Sequence, residues 1–166
     1  MPMLSGYLTI FRRLAEAKAD YLVVGGLAVN FHGVPRMTFD IDIMPGPGRK
    51  GIAGIHSLLL QTGYRCKLPI AERDLTNPRV LEDWRETKNL KAVSYYHADS
   101  VYPEIDLVLP ESVKEYRRMR RSATIFVAEE IRIPTACRED LIAMKRKAGR
   151  RQDKSDVREL RRLAAK

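Results

Sequence analysis

Two aspartates separated by one residue, Asp40 and Asp42, are residues whose type and spacing could do chemistry. They lie in the run from Met37 to Met44, whose polar and apolar side chains alternate as in a strand. Side chains two residues apart on a strand share a face at a Cα spacing of about 7 Å, so both carboxylates can approach the same divalent ions. Mg²⁺ would offset the repulsion between the two negative charges and would bring substrate phosphates with it.

The same spacing also occurs on edge strands whose acidic face is merely solvated. Features on the N-terminal side of the aspartates favour a metal–phosphate site instead. Gly25 and Gly26 end the short apolar run Tyr21–Val24 with a turn that lets the backbone approach a ligand closely. Arg36 and Thr38 then supply a cation and a hydroxyl directly before the first carboxylate.

The elements that would position these groups form a strand, a glycine turn, a short helix, a loop and a second strand. Leu27 to Phe31 predicts the helix, whose first turn would carry free N–H groups suited to phosphate. The second strand is predicted to start at Met37. In that strand Phe39, Ile41 and Ile43 are predicted to share the apolar face, opposite the aspartates.

The glycine turn and the second strand carry a motif: Gly25-Gly26, then Arg36-x-Thr38-x-Asp40-Ile41-Asp42. This motif resembles the signature of the DNA-polymerase-β-type nucleotidyltransferase superfamily. Within it, the chain is similar to the AbiEii-like nucleotidyltransferases, the toxin components of type IV toxin–antitoxin systems, and to their uncharacterised relatives. The resemblance implies transfer of a nucleoside monophosphate from an NTP to a hydroxyl with two Mg²⁺ ions. It also implies RNA (tRNA in the toxin relatives) or a protein as the acceptor, and an antitoxin protein as a partner.

Members of this superfamily have a third carboxylate on a later strand, so the resemblance implies one in this chain. Glu104 to Leu109 alternates as a strand and is predicted to form a hairpin with Ala92–His97. A carboxylate at the centre of an apolar strand needs a partner if it is buried, and the resemblance assigns the third position to Asp106, with Glu104 as the alternative. In such sites this group takes the proton from the attacking hydroxyl. The predicted catalytic and metal-binding set is therefore Asp40, Asp42 and Asp106.

The C-terminal region, from Arg138 onward, predicts two helices joined near Gly149 to Gln152 and is similar to the C-terminal part of the AbiEii-like family. The resemblance places Lys145 at the active site, where its ammonium could contact a triphosphate oxygen; the alternative is a solvated lysine of a basic helix. Asp153 is expected to cap the last helix, and Asp156 to add negative charge to its first turn.

The predicted nucleotide-binding residues combine the turn with three side chains: Gly25, Gly26, Arg36, Thr38 and Lys145. The chain departs from the family pattern at one of them. Many active members have Ser where this chain has Gly26, and that hydroxyl helps to hold the triphosphate.

The whole pattern predicts an α/β (α+β) fold, a minimal nucleotidyltransferase fold with a mixed β-sheet flanked by helices and with C-terminal helices. Further helices are predicted near residues 3–19, 49–62 and 77–87, and further strands near 64–70, 122–127 and 130–134. Residues 1–110 are predicted to form the nucleotidyltransferase core. Residues 111–166 are predicted to form a basic extension of helices and strands packed on that core.

The composition suggests a polyanionic partner. The 166 residues carry a formal net charge of +9, and such a basic balance is typical of proteins that bind RNA or another nucleic acid. No apolar run approaches the roughly 20 residues of a membrane span. Cys66 and Cys137 fit no zinc or redox spacing. A cytoplasmic protein without a membrane partner is therefore expected.

Three functions remain open from the sequence. The first is an active Mg²⁺-dependent nucleotidyltransferase. The second is a catalytically degenerate member of the same fold that binds a nucleotide or RNA. The third is a basic RNA-binding module with no nucleotide site.

Overall fold

The computed structural model describes residues 2–165, with side chains from residue 6 onward. This part of the chain forms eight helices and seven strands, which are, in chain order: α1 (Pro2–Glu16), β1 (Tyr21–Val24), α2 (Gly25–Phe31), β2 (Asp40–Pro45), α3 (Ile52–Gln61), β3 (Tyr64–Cys66), α4 (Glu72–Leu75), α5 (Pro78–Lys88), β4 (Ala92–His97), β5 (Glu104–Val108), α6 (Val113–Arg121), β6 (Thr124–Ala128), β7 (Ile131–Thr135), α7 (Arg138–Ala148) and α8 (Arg151–Ala164).

All seven strands belong to one sheet, in the order β3-β4-β5-β2-β1-β7-β6. The central strand β2 is antiparallel to β1 and parallel to β5. β4 and β5 are antiparallel neighbours, which confirms the predicted hairpin. The sheet is therefore mixed and flanked by helices, and the predicted α/β fold class is confirmed. β6 and β7, from the predicted extension, continue the same sheet because β7 pairs with β1 in parallel.

The core lies against the middle strands. Every residue of β1 is buried, as expected for a short β-branched strand covered on both faces. On β2, Ile41 and Ile43 are fully buried, and on β5 Ile105 and Leu107 are fully buried. Ile41 and Ile43 alternate with Asp40 and Asp42, and Ile105 and Leu107 alternate with Glu104 and Asp106, so these parts of the two strands present one apolar face and one acidic face.

The second strand starts later than predicted. β2 begins at Asp40 and not at Met37, and Phe39 is 57% exposed and does not share the buried face of Ile41. The reason is that residues 37–39 have no partner strand. The ladder with β1 ends where Val24 pairs with Asp42, and the ladder with β5 begins where Glu104 pairs with Asp40. Residues 37–39 consequently precede the sheet.

Several other boundaries also differ from the prediction. The helix predicted from residue 49 begins at Ile52, after the glycine-rich loop, and the strand predicted over 64–70 ends at Cys66. The short helix α4 was not predicted, because four residues carry too little periodicity to be recognised. No helix within residues 2–165 is long and apolar enough to cross a membrane.

Candidate active site

The three predicted catalytic carboxylates lie on the acidic face of two paired strands. The parallel ladder between β2 and β5 places Asp42 beside Asp106 and Asp40 beside Glu104. Adjacent strands are about 4.8 Å apart, so Asp42 and Asp106 are direct neighbours. Asp40 is exposed, whereas Asp42 and Asp106 are half-buried at the floor of a cleft.

The two aspartates of β2 resist ionisation. Burial, and then the negative charges of Asp106 and Asp40, raise the pKa of Asp42 above its ordinary value, although the N–H of Gly26 and the charge of Lys145 oppose this. Although Asp40 is the more exposed of the two, partial burial of its carboxyl, and then the charges of Asp106 and Glu104, also raise its pKa. Carboxylates that disfavour one another's charge in a cleft are typical of a site that receives a cation.

The cleft around these groups, which we name the carboxylate cleft, has a volume of about 490 Å³. Its lining contains all eight residues predicted for the site: Gly25, Gly26, Arg36, Thr38, Asp40, Asp42, Asp106 and Lys145. The structure thus brings together residues from four separate segments. Lys91 and Arg150 also line the cleft and were not predicted, because they lie in connecting segments with no local pattern around them.

The two glycines of the turn make room for side chains of the next segment. Gly25 has a φ of +65°, and a Cβ at this position would overlap the Asp42 carboxylate. A Cβ at Gly26 would lie 2.7 Å from Thr38 Oγ1 and 3.1 Å from the guanidinium carbon of Arg36. The turn therefore allows Asp42, Thr38 and Arg36 to pack directly over the backbone.

The first-turn N–H groups of α2 are less available than the sequence suggested. The backbone N–H of Gly26 donates to Asp42 Oδ2 at 3.3 Å, and α2 is only seven residues long. The turn and its helix therefore orient the second aspartate as well as border the cleft.

Arg36, Lys145 and Asp153 line one side of the carboxylate cleft, and Asp156, which does not itself line it, joins them through ion pairs. Asp156, 1% exposed, accepts hydrogen bonds from Arg36 Nη1 at 2.6 Å and forms an ion pair with Lys145 Nζ at 2.9 Å. Asp153, 2% exposed, accepts from Lys145 Nζ at 3.0 Å. Arg36 and Lys145 are thus held at the cleft by buried partners from α8, and this group of four is named the ion-pair wall.

Asp153 has the capping role that was expected for it. Its Oδ2 accepts the backbone N–H of Arg150 at 3.1 Å, from the third residue of α8. Burial by itself would raise the pKa of Asp153, but the hydrogen bond and charge of Lys145, with Arg150, lower it overall. The carboxylate is therefore ionised and serves both the helix start and Lys145.

Glu104, the alternative third carboxylate, has a different environment. It is exposed and forms an ion pair with Lys67 at 2.6 Å, and it does not line the carboxylate cleft. Asp106 is the β5 carboxylate that faces Asp42.

The carboxylate oxygens of this cleft are ligands of the type that Mg²⁺ prefers, but they do not by themselves form a complete coordination sphere. In the described part of the chain, no three acidic, histidine or cysteine side chains are gathered closely enough to hold a metal as they stand. Mg²⁺ is commonly held by one or two carboxylates, with waters and substrate phosphates completing the octahedron. The raised pKa values of Asp40 and Asp42 fit such a cation.

A separate apolar cavity of about 240 Å³ lies near the other ends of β2 and β5, around Pro45 and Leu109. The adjacent aspartates and the ion-pair wall are in the carboxylate cleft and not there, so the chemistry is assigned to the carboxylate cleft.

No protein-family model matches this sequence, and no curated protein matches it. Among solved structures, the chain is similar to one described as "Crystal structure of lincosamide antibiotic adenylyltransferase LnuA, lincomycin-bound". The similarity covers 96% of each chain at 14% sequence identity, with a TM-score of 0.65. The architecture described above is accordingly a nucleotidyltransferase-like fold.

Proposed function

We propose that this protein is a nucleotidyltransferase that moves a nucleoside monophosphate from an NTP to a hydroxyl. One observation carries the proposal: Asp42 and Asp106 are neighbours on paired strands, with Asp40 on the same face, in a cleft whose wall holds Arg36 and Lys145. Acidic groups that suit a cation thus lie next to basic groups that suit a triphosphate. We further propose that it works in the cytoplasm.

Each part of the cleft has a role in this proposal. Asp40, Asp42 and Asp106 would hold two Mg²⁺ ions, which when bound neutralise phosphate charge and acidify the acceptor hydroxyl. Arg36 and Lys145, with the Gly25-Gly26 turn and Thr38, would bind and orient the triphosphate. Asp106 would accept the proton of the hydroxyl.

The transfer itself exchanges one phosphorus–oxygen bond for another. The acceptor oxygen bonds to the α-phosphorus of the NTP as the bond from that phosphorus to the bridging oxygen breaks. Pyrophosphate leaves, and the acceptor proton passes to the Asp106 carboxylate. The reaction consumes no oxidant or reductant.

The acceptor and the biological setting are finer parts of the proposal. The net charge of +9 supports RNA, and the resemblance to AbiEii-like toxins supports tRNA or a protein, together with an antitoxin partner. The solved neighbour is described as an antibiotic adenylyltransferase with lincomycin bound, so small hydroxyl compounds belong among the candidates as well.

The proposal is tested with the double variant Asp40→Asn/Asp42→Asn. Incubation with each α-labelled NTP, Mg²⁺ and a cell lysate should label an acceptor with the parent protein and not with the variant. We expect at least about a 10²-fold loss, because the charge that holds the cations is removed.

A thermal unfolding transition in the double variant controls for loss of fold. Chelation of divalent ions should abolish labelling by the parent as well. Equal labelling by parent and double variant would exclude Asp40 and Asp42 from the reaction.

A second candidate is a catalytically degenerate protein of the same fold. The ion-pair wall favours it, because Asp156 and Asp153 already neutralise Arg36 and Lys145. Calorimetry that shows NTP binding, with no pyrophosphate released across the acceptor panel, would select this candidate.

A further inference from the structure

A second cleft meets the carboxylate cleft at Asp40. It has a volume of about 300 Å³ and contains three aromatic side chains, Tyr7, Phe39 and Tyr102, together with the carboxylates of Asp40 and Glu104. We name it the aromatic cleft. Because Asp40 lines both clefts, a molecule in the aromatic cleft would lie next to the groups assigned to nucleotidyl transfer.

Two of the three rings are held in place by contacts within the fold. The Tyr7 hydroxyl donates to the backbone oxygen of Thr38 at 3.3 Å. The Tyr102 ring packs against His97, with 4.4 Å between ring centroids. Phe39 differs, since it is 57% exposed despite its apolar ring. A large exposed aromatic side chain beside a reactive carboxylate is suited to stack against a ligand ring.

The two clefts differ in charge. Within the described residues, no lysine or arginine lines the aromatic cleft, whereas four line the carboxylate cleft: Arg36, Lys91, Lys145 and Arg150. Lys67 approaches Glu104, but its ammonium is engaged by that carboxylate at 2.6 Å. Among the described residues that line this cleft, Asp40 and Glu104 are the only charged ones, and both are acidic. In the metal-free protein, an anionic group would be repelled there.

We propose that the aromatic cleft is the acceptor site, and that the acceptor carries its hydroxyl on a ring with no phosphate or carboxylate beside it. The assignment rests on the proposed function, and it narrows the acceptor from any hydroxyl compound to one with an uncharged, ring-bound hydroxyl. The ring would stack on Phe39 and direct its hydroxyl towards the acidic face that carries Asp40 and Asp106. This chemistry has two sources, a small ring alcohol or the tyrosine side chain of a protein. A terminal ribose of RNA, with its neighbouring phosphate, fits the cleft poorly.

Three phenols of similar size test the charge preference without NTP or Mg²⁺: tyramine, which is cationic, tyrosol, which is neutral, and 4-hydroxyphenylacetate, which is anionic. Their dissociation constants are measured by NMR titration of the intact protein. We expect tyramine and tyrosol to bind at least about tenfold more tightly than 4-hydroxyphenylacetate. Equal affinities, or tightest binding of the anion, would overturn the assignment.

Two matched variants test the location. Phe39→Ala should weaken tyrosol binding about tenfold, the effect of one aromatic contact. Met37→Ala is the control, since Met37 is 78% exposed, lies two residues away and does not line the aromatic cleft. Glu104→Gln should reduce the preference for tyramine over the anion. Equal effects of Phe39→Ala and Met37→Ala would place the phenols elsewhere and refute the assignment.

The source of the ring is found by labelling. The protein, Mg²⁺ and α-labelled NTPs are incubated separately with a small-molecule extract, with RNA-free protein and with purified total RNA. Label in either of the first two supports the assignment and identifies the source. Label confined to RNA overturns the acceptor class and leaves nucleotidyl transfer standing. Label in no fraction overturns the proposed function and, with it, the acceptor assignment.

Discussion

The structure leaves no room for a side chain at Gly26. Its Cβ position lies 2.7 Å from Thr38 Oγ1, closer than real Cβ contacts allow. Gly26→Ser should therefore lower the free energy of unfolding by about 1–3 kcal/mol, the usual cost of overpacking. Urea unfolding measures the change. Adding Thr38→Ala should recover most of the loss, and a double variant that recovers nothing would show that the strain lies elsewhere.

Asp42 illustrates how site chemistry opposes stability. Because burial and neighbouring charges raise its pKa, the folded state binds this proton more tightly than the unfolded chain does. Stability then falls as pH rises through the window between the two pKa values, and the penalty persists at neutral pH. Asp42→Asn should thus raise the Tm of the metal-free protein at pH 7.

The same reasoning sets the pH dependence of that variant. As pH falls through the raised pKa, Asp42 of the parent becomes protonated and resembles asparagine, so the difference in Tm should shrink. A variant that is less stable at pH 7, or a difference independent of pH, would contradict the assigned environment. Thermal scans across an acidic pH series provide the measurement.

At the scale of elements, α8 holds the cleft wall through Asp156. This carboxylate is buried and serves both Arg36 and Lys145. Asp156→Asn should cost about 3–5 kcal/mol of unfolding free energy, because Arg36 loses its buried carboxylate and Lys145 keeps only Asp153. Glu159→Gln, which removes an exposed pair with Arg162 on the same helix, should change it by less than about 1 kcal/mol. Comparable effects in urea unfolding would argue against a buried network.

The strands show what local pattern can and cannot predict. The alternation of Asp40, Ile41, Asp42 and Ile43 is local, so the acidic face was predictable. The start of β2 was not, because it depends on Glu104 as the first partner in a distant strand. The ion pair between Arg36 and Asp156 spans 120 residues, and no spacing rule connects two such positions. From charge alone, Arg36 was predicted to bind phosphate and Asp156 to lie in the first turn of the last helix. Their ion pair with each other was not predicted.

At the scale of the whole molecule, one sheet contains strands from both sides of residue 110. The division into a core of residues 1–110 and an extension of residues 111–166 stays a prediction. β1 pairs with β7, and the Ala136 N–H donates to Val23 O at 2.9 Å. Ile133 and Leu160, from the C-terminal part, are fully buried in the same core. A fragment of residues 1–110 would therefore expose the unpaired edge of β1 and part of the core to water.

We expect this fragment to show no cooperative urea transition by circular dichroism, while the intact chain unfolds in a single one. Adding a peptide of residues 111–166 should restore structure if pairing at β1 is the missing element. A fragment that unfolds cooperatively by itself would make residues 1–110 an autonomous domain.

The long span of the Arg36–Asp156 pair also affects the protein during its synthesis. Arg36 emerges from the ribosome far earlier than the carboxylate that fixes it. The ion-pair wall is complete only after α8 has left the exit tunnel. Until then, Arg36 would lack the buried carboxylate that fixes its guanidinium at the carboxylate cleft.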